Sequence, residues 1–417
     1  MMNEILVKDQ GVAAVARQRF PTRQFLPPAL AAPPADSSQV DLSPFPQNRR
    51  ATLSAADSRT LAGRSSTRQH LCCSVQDQGI LMKALLVVLC GVLALGSLTA
   101  QQGGWEPSPG HTQVPIWPHA APDPQPVKGP EVVERWGNAH LVAGRQIIGV
   151  SNVTRPMMTV FSPQANNSGV AIVVFPGGGY QTLAIDLEGT EVCDWLTSKG
   201  ITCVLLKYRV TDVGDYPKSG PYPESPMALE DAQRTMGLVR AHAHEWHVDP
   251  QKIGVLGFSA GGHLVAAISN HFERRLYPAV DAFDRESCRP DFAVAIYPGH
   301  LSLRAAEWDA EQGTKKFVLP HLDSQSISDP NLALNPDLRV TSRTPPTFLL
   351  QAEDDHVDSV YDSLAYFIAL QRAGVSAEMH LYPHGGHAFG LRRTKRAITE
   401  WPELVETWLK TIGMILN

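Results

Sequence analysis

The sequence predicts an α/β domain with a mostly parallel central sheet and helices on both of its faces. Over residues 140–417, short apolar runs rich in β-branched residues alternate with longer runs whose apolar residues recur every three or four positions. The first pattern is typical of strands buried on both faces of a sheet, and the second of helices that pack on that sheet. Because parallel neighbours need a crossover connection, this alternation indicates βαβ units.

The elements follow from these two patterns. Residues 170–175 are almost wholly apolar, as expected for a buried strand. Residues 187–199 show helical spacing of apolar side chains and end at Gly200, a natural C-cap. The predicted strands are residues 158–161, 170–175, 201–206, 253–258, 292–297, 347–351 and 378–382. The predicted helices are residues 187–199, 226–246, 262–270, 359–372 and 394–411.

One long segment lies between two predicted strands without a pattern of its own. Residues 301–345 are polar and poorly periodic. Segments of this length in a compact domain are usually functional. We therefore expect a lid or a loop that contacts the substrate.

The first hundred residues differ in composition from the rest. Residues 1–81 are rich in Pro, Ser, Ala and Arg and lack sustained periodicity, so we expect them to be disordered. Residues 82–100 have the layout of a secretory signal peptide, because a basic start precedes a short apolar run and a small or polar end. The apolar run is too short for a stable membrane span. We expect a secreted or periplasmic protein with an irregular N-terminal arm, residues 101–139, before the domain.

The charge and the cysteines of the exported part exclude several kinds of partner. Residues 101–417 contain 26 Lys and Arg against 35 Asp and Glu, a balance that does not favour nucleic acids or anionic membranes. Only Cys193, Cys203 and Cys288 lie in this part, too few and too scattered for a CxxC metal site. One disulfide is possible, with the pairing left open. No metal or cofactor is expected.

The pentapeptide at residues 257–261, GFSAG, stands between a predicted strand and a predicted helix. A strand that turns into a helix within so few residues brings its backbone close to the turn, where only glycine fits. The GxSxG pattern is weak evidence by itself, but its place between strand and helix is typical of a nucleophile elbow. We predict that Ser259 is the nucleophile.

Ligands of such sheets bind at the carboxyl ends of the strands. Three of these ends carry a serine, an acid and a histidine in chain order, Ser259, Asp354 and His387. A serine hydroxyl is a poor nucleophile at neutral pH, so an imidazole must take its proton and a carboxylate must orient that imidazole. The order of the three residues predicts a catalytic triad.

The acid of the triad has competitors within one loop. Glu353, Asp355 and Asp358 lie beside Asp354. Asp354 is preferred because a valine follows it three residues later, a spacing that the family resemblance described below implies for the acid. Asp355 is interpreted as a solvated or helix-approach charge.

The base and two other groups also have alternatives. His384 competes with His387, which is preferred because two glycines precede it and allow a close approach to the nucleophile. His263 is interpreted as a helix-start or packing residue. Asp186 and Glu188 are interpreted either as lining the mouth of the site or as helix N-terminal charges.

A glycine triplet follows the predicted strand at residues 170–175. Its amides are not hindered by side chains, and with the amide after the nucleophile they can bind a developing oxyanion. We expect amides of the triplet, residues 177–179, to form this oxyanion hole together with the amide of Ala260, each donor contributing about 3 kcal/mol. Tyr180, directly after the triplet, is expected to contact the substrate.

Five segments in this order, FPGGGY, LKYRV, GVLGFSAGGHL, QAEDDHV and HGGHAFG, carry a family resemblance over residues 115–417. They resemble the α/β-hydrolase esterases of the acetylxylan esterase and feruloyl esterase-like group, relatives of the hormone-sensitive lipase branch. The resemblance implies the α/β-hydrolase fold and assigns the roles given above to Ser259, Asp354 and His387. It also implies an oxyanion hole built from Gly178, Gly179 and Ala260. One departure is Pro176, where the hormone-sensitive lipase relatives carry His.

The resemblance implies a secreted serine esterase that removes acetyl or feruloyl groups from a sugar or a polysaccharide through an acyl-enzyme. A lipase or general carboxylesterase is one alternative. A prolyl oligopeptidase-type peptidase is another, although the ~40 residues between signal and domain leave no room for the usual β-propeller. A non-catalytic binding protein on a hydrolase scaffold would normally lack a triad member.

The signal-like segment yields a testable prediction about the start of the chain. Because such signals work at an N-terminus, we expect translation to begin at Met82 and residues 1–81 to reflect a start codon placed too far upstream. N-terminal sequencing of the native protein should find Gln101 or a residue near it. Peptides from residues before Met82 would support the alternative, a genuine tail followed by a signal anchor.

Overall fold

The computed structural model describes residues 104–416 except 112, 124–128, 138–140, 211–221, 223–225, 304–306, 310–313 and 317–331. The expectations for residues 1–81 and for the signal at 82–100 lie outside the described residues. So does much of the segment 301–345, whose role as a lid stays a prediction.

Strands β1–β13 and helices α1–α5 have the following bounds. The strands are β1 Gln113–Pro115, β2 Val132–Arg135, β3 Ile148–Ser151, β4 Met157–Phe161, β5 Ala171–Phe175, β6 Thr182–Ala184, β7 Thr202–Lys207, β8 Ile253–Phe258, β9 Ala293–Ile296, β10 Glu307–Asp309, β11 Thr314–Lys316, β12 Thr347–Ala352 and β13 Ala377–Tyr382. The helices are α1 Glu191–Ser198, α2 Pro226–Ala241, α3 Ala260–Asn270, α4 Val360–Arg372 and α5 Trp401–Thr411.

The central sheet has eight strands in the order β1-β4-β7-β5-β8-β9-β12-β13. The pairs β1–β4 and β4–β7 are antiparallel, and every pair from β7 to β13 is parallel. The predicted α/β fold with a mostly parallel sheet is therefore confirmed. Strands β2, β3 and β6 form a separate antiparallel sheet.

Helices cover both faces of this sheet. Right-handed crossovers place α1 on one face and α2, α3 and α4 on the other, because the strand order reverses after β7. Helix α5 returns to the face of α1, where Trp401 meets Trp195 with ring centroids 5.6 Å apart. The five strands β5, β7, β8, β9 and β12 are buried along their whole length, which explains their almost continuous apolar sequences. Among the described residues, no helix combines the length and the apolar character needed to cross a bilayer.

The N-terminal arm is more regular than expected. Strand β1 extends the central sheet, and Trp117 just after it is buried. The Trp117 indole donates to Asp231 of α2 at 2.8 Å, and the guanidinium groups of Arg209 and Arg234 lie over its ring, 5.9 and 5.8 Å from the centroid. Asp231 also accepts hydrogen bonds from Arg209. This buried network fastens the arm to the domain.

The structure closes the question of cysteine pairing. Cys193 of α1 and Cys203 of β7 form a disulfide, and Cys288 is free and buried. The bridge links a helix to the strand that follows it in the sequence, so it fixes one βα crossover covalently.

The arm network predicts a large effect on stability. Asp231→Ala leaves the buried guanidinium of Arg209 without one of its two carboxylate partners. Removing one side of a buried ion pair typically costs about 3–5 kcal/mol, so we expect this loss in the free energy of unfolding, measured by urea denaturation. The matched control is Glu245→Ala at an exposed position, which should stay within about 0.5 kcal/mol of the wild type. Equal midpoints for the two variants would contradict the role of the network.

Candidate active site

Ser259 lies at the tight turn between β8 and α3. Its backbone has φ 52° and ψ −120°, a conformation that is strained for a residue with a side chain. The neighbouring glycines make the turn possible, because a Cβ at Gly257 would overlap the carbonyl of Gly261, and a Cβ at Gly261 would overlap that of Phe175. The serine hydroxyl is thereby held at the carboxyl edge of the sheet.

Ser259 and His387 come together at this edge. The serine Oγ lies 2.9 Å from Nε2 of His387, and Nδ1 of the same imidazole lies 2.7 Å from Oδ2 of Asp355. The acid that contacts the imidazole is therefore Asp355, which corrects the expectation of Asp354. Asp355 is not a solvated charge, since it is only 4% exposed.

Asp354 has another task in the same loop. Its Oδ1 accepts hydrogen bonds from the amides of Gly385 and Gly386, both at 2.7 Å. Its Oδ2 lies 3.4 Å from the exposed ring of His384, the competitor for the base. Asp354 therefore holds the loop that carries His387, and its side chain points away from the imidazole of that residue.

Asp355 is fixed by hydrogen bonds on both oxygens. Its Oδ1 accepts from the amides of Val357 and Asp358 at 2.9 and 3.0 Å, and its Oδ2 lies 3.2 Å from Nε2 of Gln351. These bonds orient the carboxylate so that Oδ2 can also accept a hydrogen bond from Nδ1 of His387.

The surroundings of His387 favour its protonated form. Burial lowers the pKa of the imidazole, but the carboxylates of Asp355, Asp358 and Glu188 outweigh this effect and raise the pKa to about 9. A base must be neutral to accept the serine proton. Hydrolysis through Ser259 should therefore increase as the pH rises through this pKa.

Glu188 lies beneath the glycine triplet. It is 2% exposed, accepts from the Gly177 amide at 2.7 Å, and accepts from the Tyr297 hydroxyl at 2.9 Å. A Cβ on Gly177 would lie 2.9 Å from Cβ of Ser259, so only glycine allows this approach. Glu188 stands in the first turn of the short helical segment Asp186–Thr190, as expected for a helix N-terminal charge. Its buried side chain does not line the mouth of the site but anchors the triplet beside the nucleophile.

Three amides beside Ser259 are available for an oxyanion. Gly178 and Gly179 have φ values of 132° and 62°, which favour glycine. Among the described residues, no acceptor binds either amide. Ala260 is the first residue of α3, so its amide has no acceptor within the helix. These are the three residues expected from the sequence.

Tyr180 does not line open space. It is 2% exposed, and its hydroxyl lies 2.7 Å from Nδ1 of His263. Burial lowers the pKa of His263 to about 3, so this imidazole is neutral and its Nδ1 can accept a hydrogen bond from the tyrosine hydroxyl. The expected contact between Tyr180 and substrate is corrected to a packing and hydrogen-bonding role under the elbow, which His263 shares.

A second carboxylate reaches the nucleophile. Oδ2 of Asp358 accepts from the Ser259 hydroxyl at 3.3 Å and lies 3.9 Å from Nε2 of His387. The sequence placed Asp358 only among the competitors for the acid, and its position in that loop was the one signal that could have found it. Among the described residues, no three His, Cys, Asp or Glu side chains are grouped to hold a metal ion.

The family described as "alpha/beta hydrolase fold" matches residues 172–391, more than half of the 417-residue chain. The chain belongs to this family. A solved structure, an acetyl ester-xyloside bifunctional hydrolase from Caldicellulosiruptor lactoaceticus, is 33% identical, covers 73% of this chain and 97% of its own, and has a TM-score of 0.52.

Two curated relatives are similar over part of their length. An acetylxylan esterase from Xylanibacter ruminicola is 29% identical over 64% of this chain and 50% of its own. An endo-1,4-beta-xylanase B from Butyrivibrio fibrisolvens is 27% identical over 52% of this chain and 32% of its own. The chain thus spans half or less of the length of these two relatives.

The two neighbouring aspartates can be distinguished by mutation. Asp355→Asn should lower kcat for p-nitrophenyl acetate by about 10⁴, because an amide neither stabilises the imidazolium nor holds the correct tautomer. Asp354→Asn keeps an oxygen that can accept from the Gly385 and Gly386 amides, so we expect a loss below about tenfold. A greater loss in Asp354→Asn than in Asp355→Asn would reverse the assignment.

Proposed function

We propose that the protein is an exported serine esterase that hydrolyses acetyl esters of carbohydrates through an acyl-enzyme. The observation that carries the proposal is the chain of contacts from Asp355 through His387 to Ser259, with hydrogen-bond distances of 2.7 and 2.9 Å. The free amides of Gly178 and Gly179 lie in the loop beside the same serine.

The reaction follows from these contacts. Neutral His387 takes the proton of Ser259 while Oγ attacks the ester carbonyl, and the oxyanion receives hydrogen bonds from the free amides. The imidazolium then gives its proton to the departing alcohol oxygen as the carbon–oxygen bond breaks. Water attacks the acyl-serine with His387 again as base, which releases the acid and restores the serine hydroxyl.

The choice of acetyl and carbohydrate rests on the relatives. One is an acetylxylan esterase and another is an acetyl ester-xyloside bifunctional hydrolase. The family resemblance of the five motifs supports the same group.

Export is supported by two independent features. Residues 82–100 have the layout of a signal peptide. The disulfide between Cys193 and Cys203 is of the kind that persists in oxidising compartments and is rare in the cytosol. We propose secretion or transfer to the periplasm.

The substrate proposal is tested with the chain that begins at Gln101. We expect it to release acetate from acetylated xylan faster than ferulate from a feruloylated arabinose, and to prefer p-nitrophenyl acetate to longer acyl esters. Acetate can be quantified by a coupled assay and ferulate by its absorbance.

Two controls accompany this experiment. Ser259→Ala should lose several orders of magnitude in turnover on every substrate. A dipeptide p-nitroanilide tests the peptidase alternative, and its cleavage in preference to all esters would refute the proposal. Faster turnover of long acyl esters than of acetate would instead indicate a lipase or general carboxylesterase.

A further inference from the structure

The active site contains a carboxylate that a Ser-His-Asp triad does not need. Asp355 binds the Nδ1 side of His387, whereas Asp358 lies on the Nε2 side, 3.9 Å from that nitrogen. Its Oδ2 is also 3.3 Å from the Ser259 hydroxyl. The side chain of Asp358 is 10% exposed, so its interaction with the two reacting groups is only weakly screened by water.

The position of Asp358 is built into the loop. Its amide donates to Oδ1 of Asp355 at 3.0 Å, and its carbonyl accepts from Nε2 of Gln351 at 3.0 Å. A Cβ on Gly299 would overlap the Asp358 carboxylate, so a glycine leaves the space that this side chain fills. The same hydrogen bonds that fix the triad acid therefore also fix Asp358.

The hydrogen bonds of Asp358 are more favourable when His387 is protonated than when it is neutral. When His387 is protonated, its Nδ1–H donates to Asp355, its Nε2–H to the serine oxygen, and the serine hydroxyl to Asp358. Every donor then has an acceptor. When His387 is neutral, the single serine proton must leave Asp358 to reach Nε2, and the carboxylate loses that hydrogen bond.

We propose that Asp358 is a positioning residue of Ser259 that sets the pH below which hydrolysis slows. It does so by accepting a hydrogen bond from the serine hydroxyl while His387 is protonated, which stabilises the inactive form of the base. This inference rests on the proposed role of Ser259 and His387 in hydrolysis. It assigns Asp358 no covalent step, since the residue acts through the protonation of the base.

Other titratable and aromatic groups also surround His387 and Asp358. Glu188, before α1, and Asp355 both favour the protonated imidazole of His387, while the Tyr297 ring packs on it with centroids 4.9 Å apart. Asp362 of α4 accepts from the amides of Leu301 and Ser302, and burial followed by the charge of Asp358 raises its pKa to about 7. A change at Asp358 therefore also changes the pKa of Asp362, and Asp362 is the main group besides His387 through which a pH profile would shift.

The test is the pH dependence of kcat/KM for Asp358→Asn and the wild type with p-nitrophenyl acetate, followed at the isosbestic wavelength of the product. Removing the charge lowers the pKa of His387, so the rise of kcat/KM with pH should begin earlier. For unit charges about 4 Å apart, we expect its midpoint to move down by about one to two pH units. The plateau at high pH, where His387 is neutral in both proteins, should change by less than about fivefold.

Two further variants separate this effect from others. Glu273→Gln removes one charge from an exposed position beyond the end of α3 and should leave the midpoint unchanged. Asp362→Asn should also leave it unchanged, and a shift equal to that of Asp358→Asn would overturn the proposal. An unchanged midpoint in a folded Asp358→Asn, or a uniform loss of rate at every pH, would overturn it as well, with folding checked by circular dichroism.

A second readout separates this inference from the proposed function. The rate at which a fluorophosphonate labels Ser259 depends on the same base and needs no ester substrate. If the labelling profile shifts in Asp358→Asn while no acetyl ester is hydrolysed, the inference stands and the proposed function fails. If esters are hydrolysed and the two profiles coincide, the inference fails alone.

Discussion

The end of β5 and the turn that carries Ser259 pack against each other with no space for side chains between them. Gly261 lies against the carbonyl of Phe175, and Gly177 lies against Ser259 itself. This contact brings the ends of β5 and β8 together. It thereby places the glycine triplet, with the available amides of Gly178 and Gly179, beside the strained Ser259. The other parts of the site are arranged around this contact, since Glu188 holds the loop from below and His387 approaches the serine from the end of β13.

The site also concentrates negative charge. Glu188, Asp355 and Asp358 all act on one imidazole, and two of them hold or orient backbone groups as well. Placing like charges together in a buried site is unfavourable unless a positive charge or hydrogen bonds compensate them. Protonated His387 supplies that positive charge, so the same side chains that preorganise the site also oppose its neutral, reactive form. The stability of the folded site therefore favours protonated His387, whereas catalysis needs the neutral imidazole.

Much of the fold could be predicted because its signals are local. Buried strands read as continuous apolar runs, and the GFSAG turn has a steric requirement that sequence displays directly. Asp354 and Asp355 could not be ranked correctly, because adjacent residues in a turn point in different directions and only the folded loop decides which one faces His387. Tyr180 was misassigned for a similar reason, since burial beneath the elbow depends on His263 from another segment.

Strand β1 shows how the arm protects the sheet. An open edge strand exposes unpaired amides and carbonyls that can template the addition of another chain. Here β1 covers β4, and it ends at Pro115, which has no amide to offer a further strand. At the opposite end, β13 pairs with β12 alone among the described strands and carries the exposed Leu381. The short strand β1 therefore leaves little unpaired backbone at its own end of the sheet, and loss of β1 would expose β4 as an edge strand.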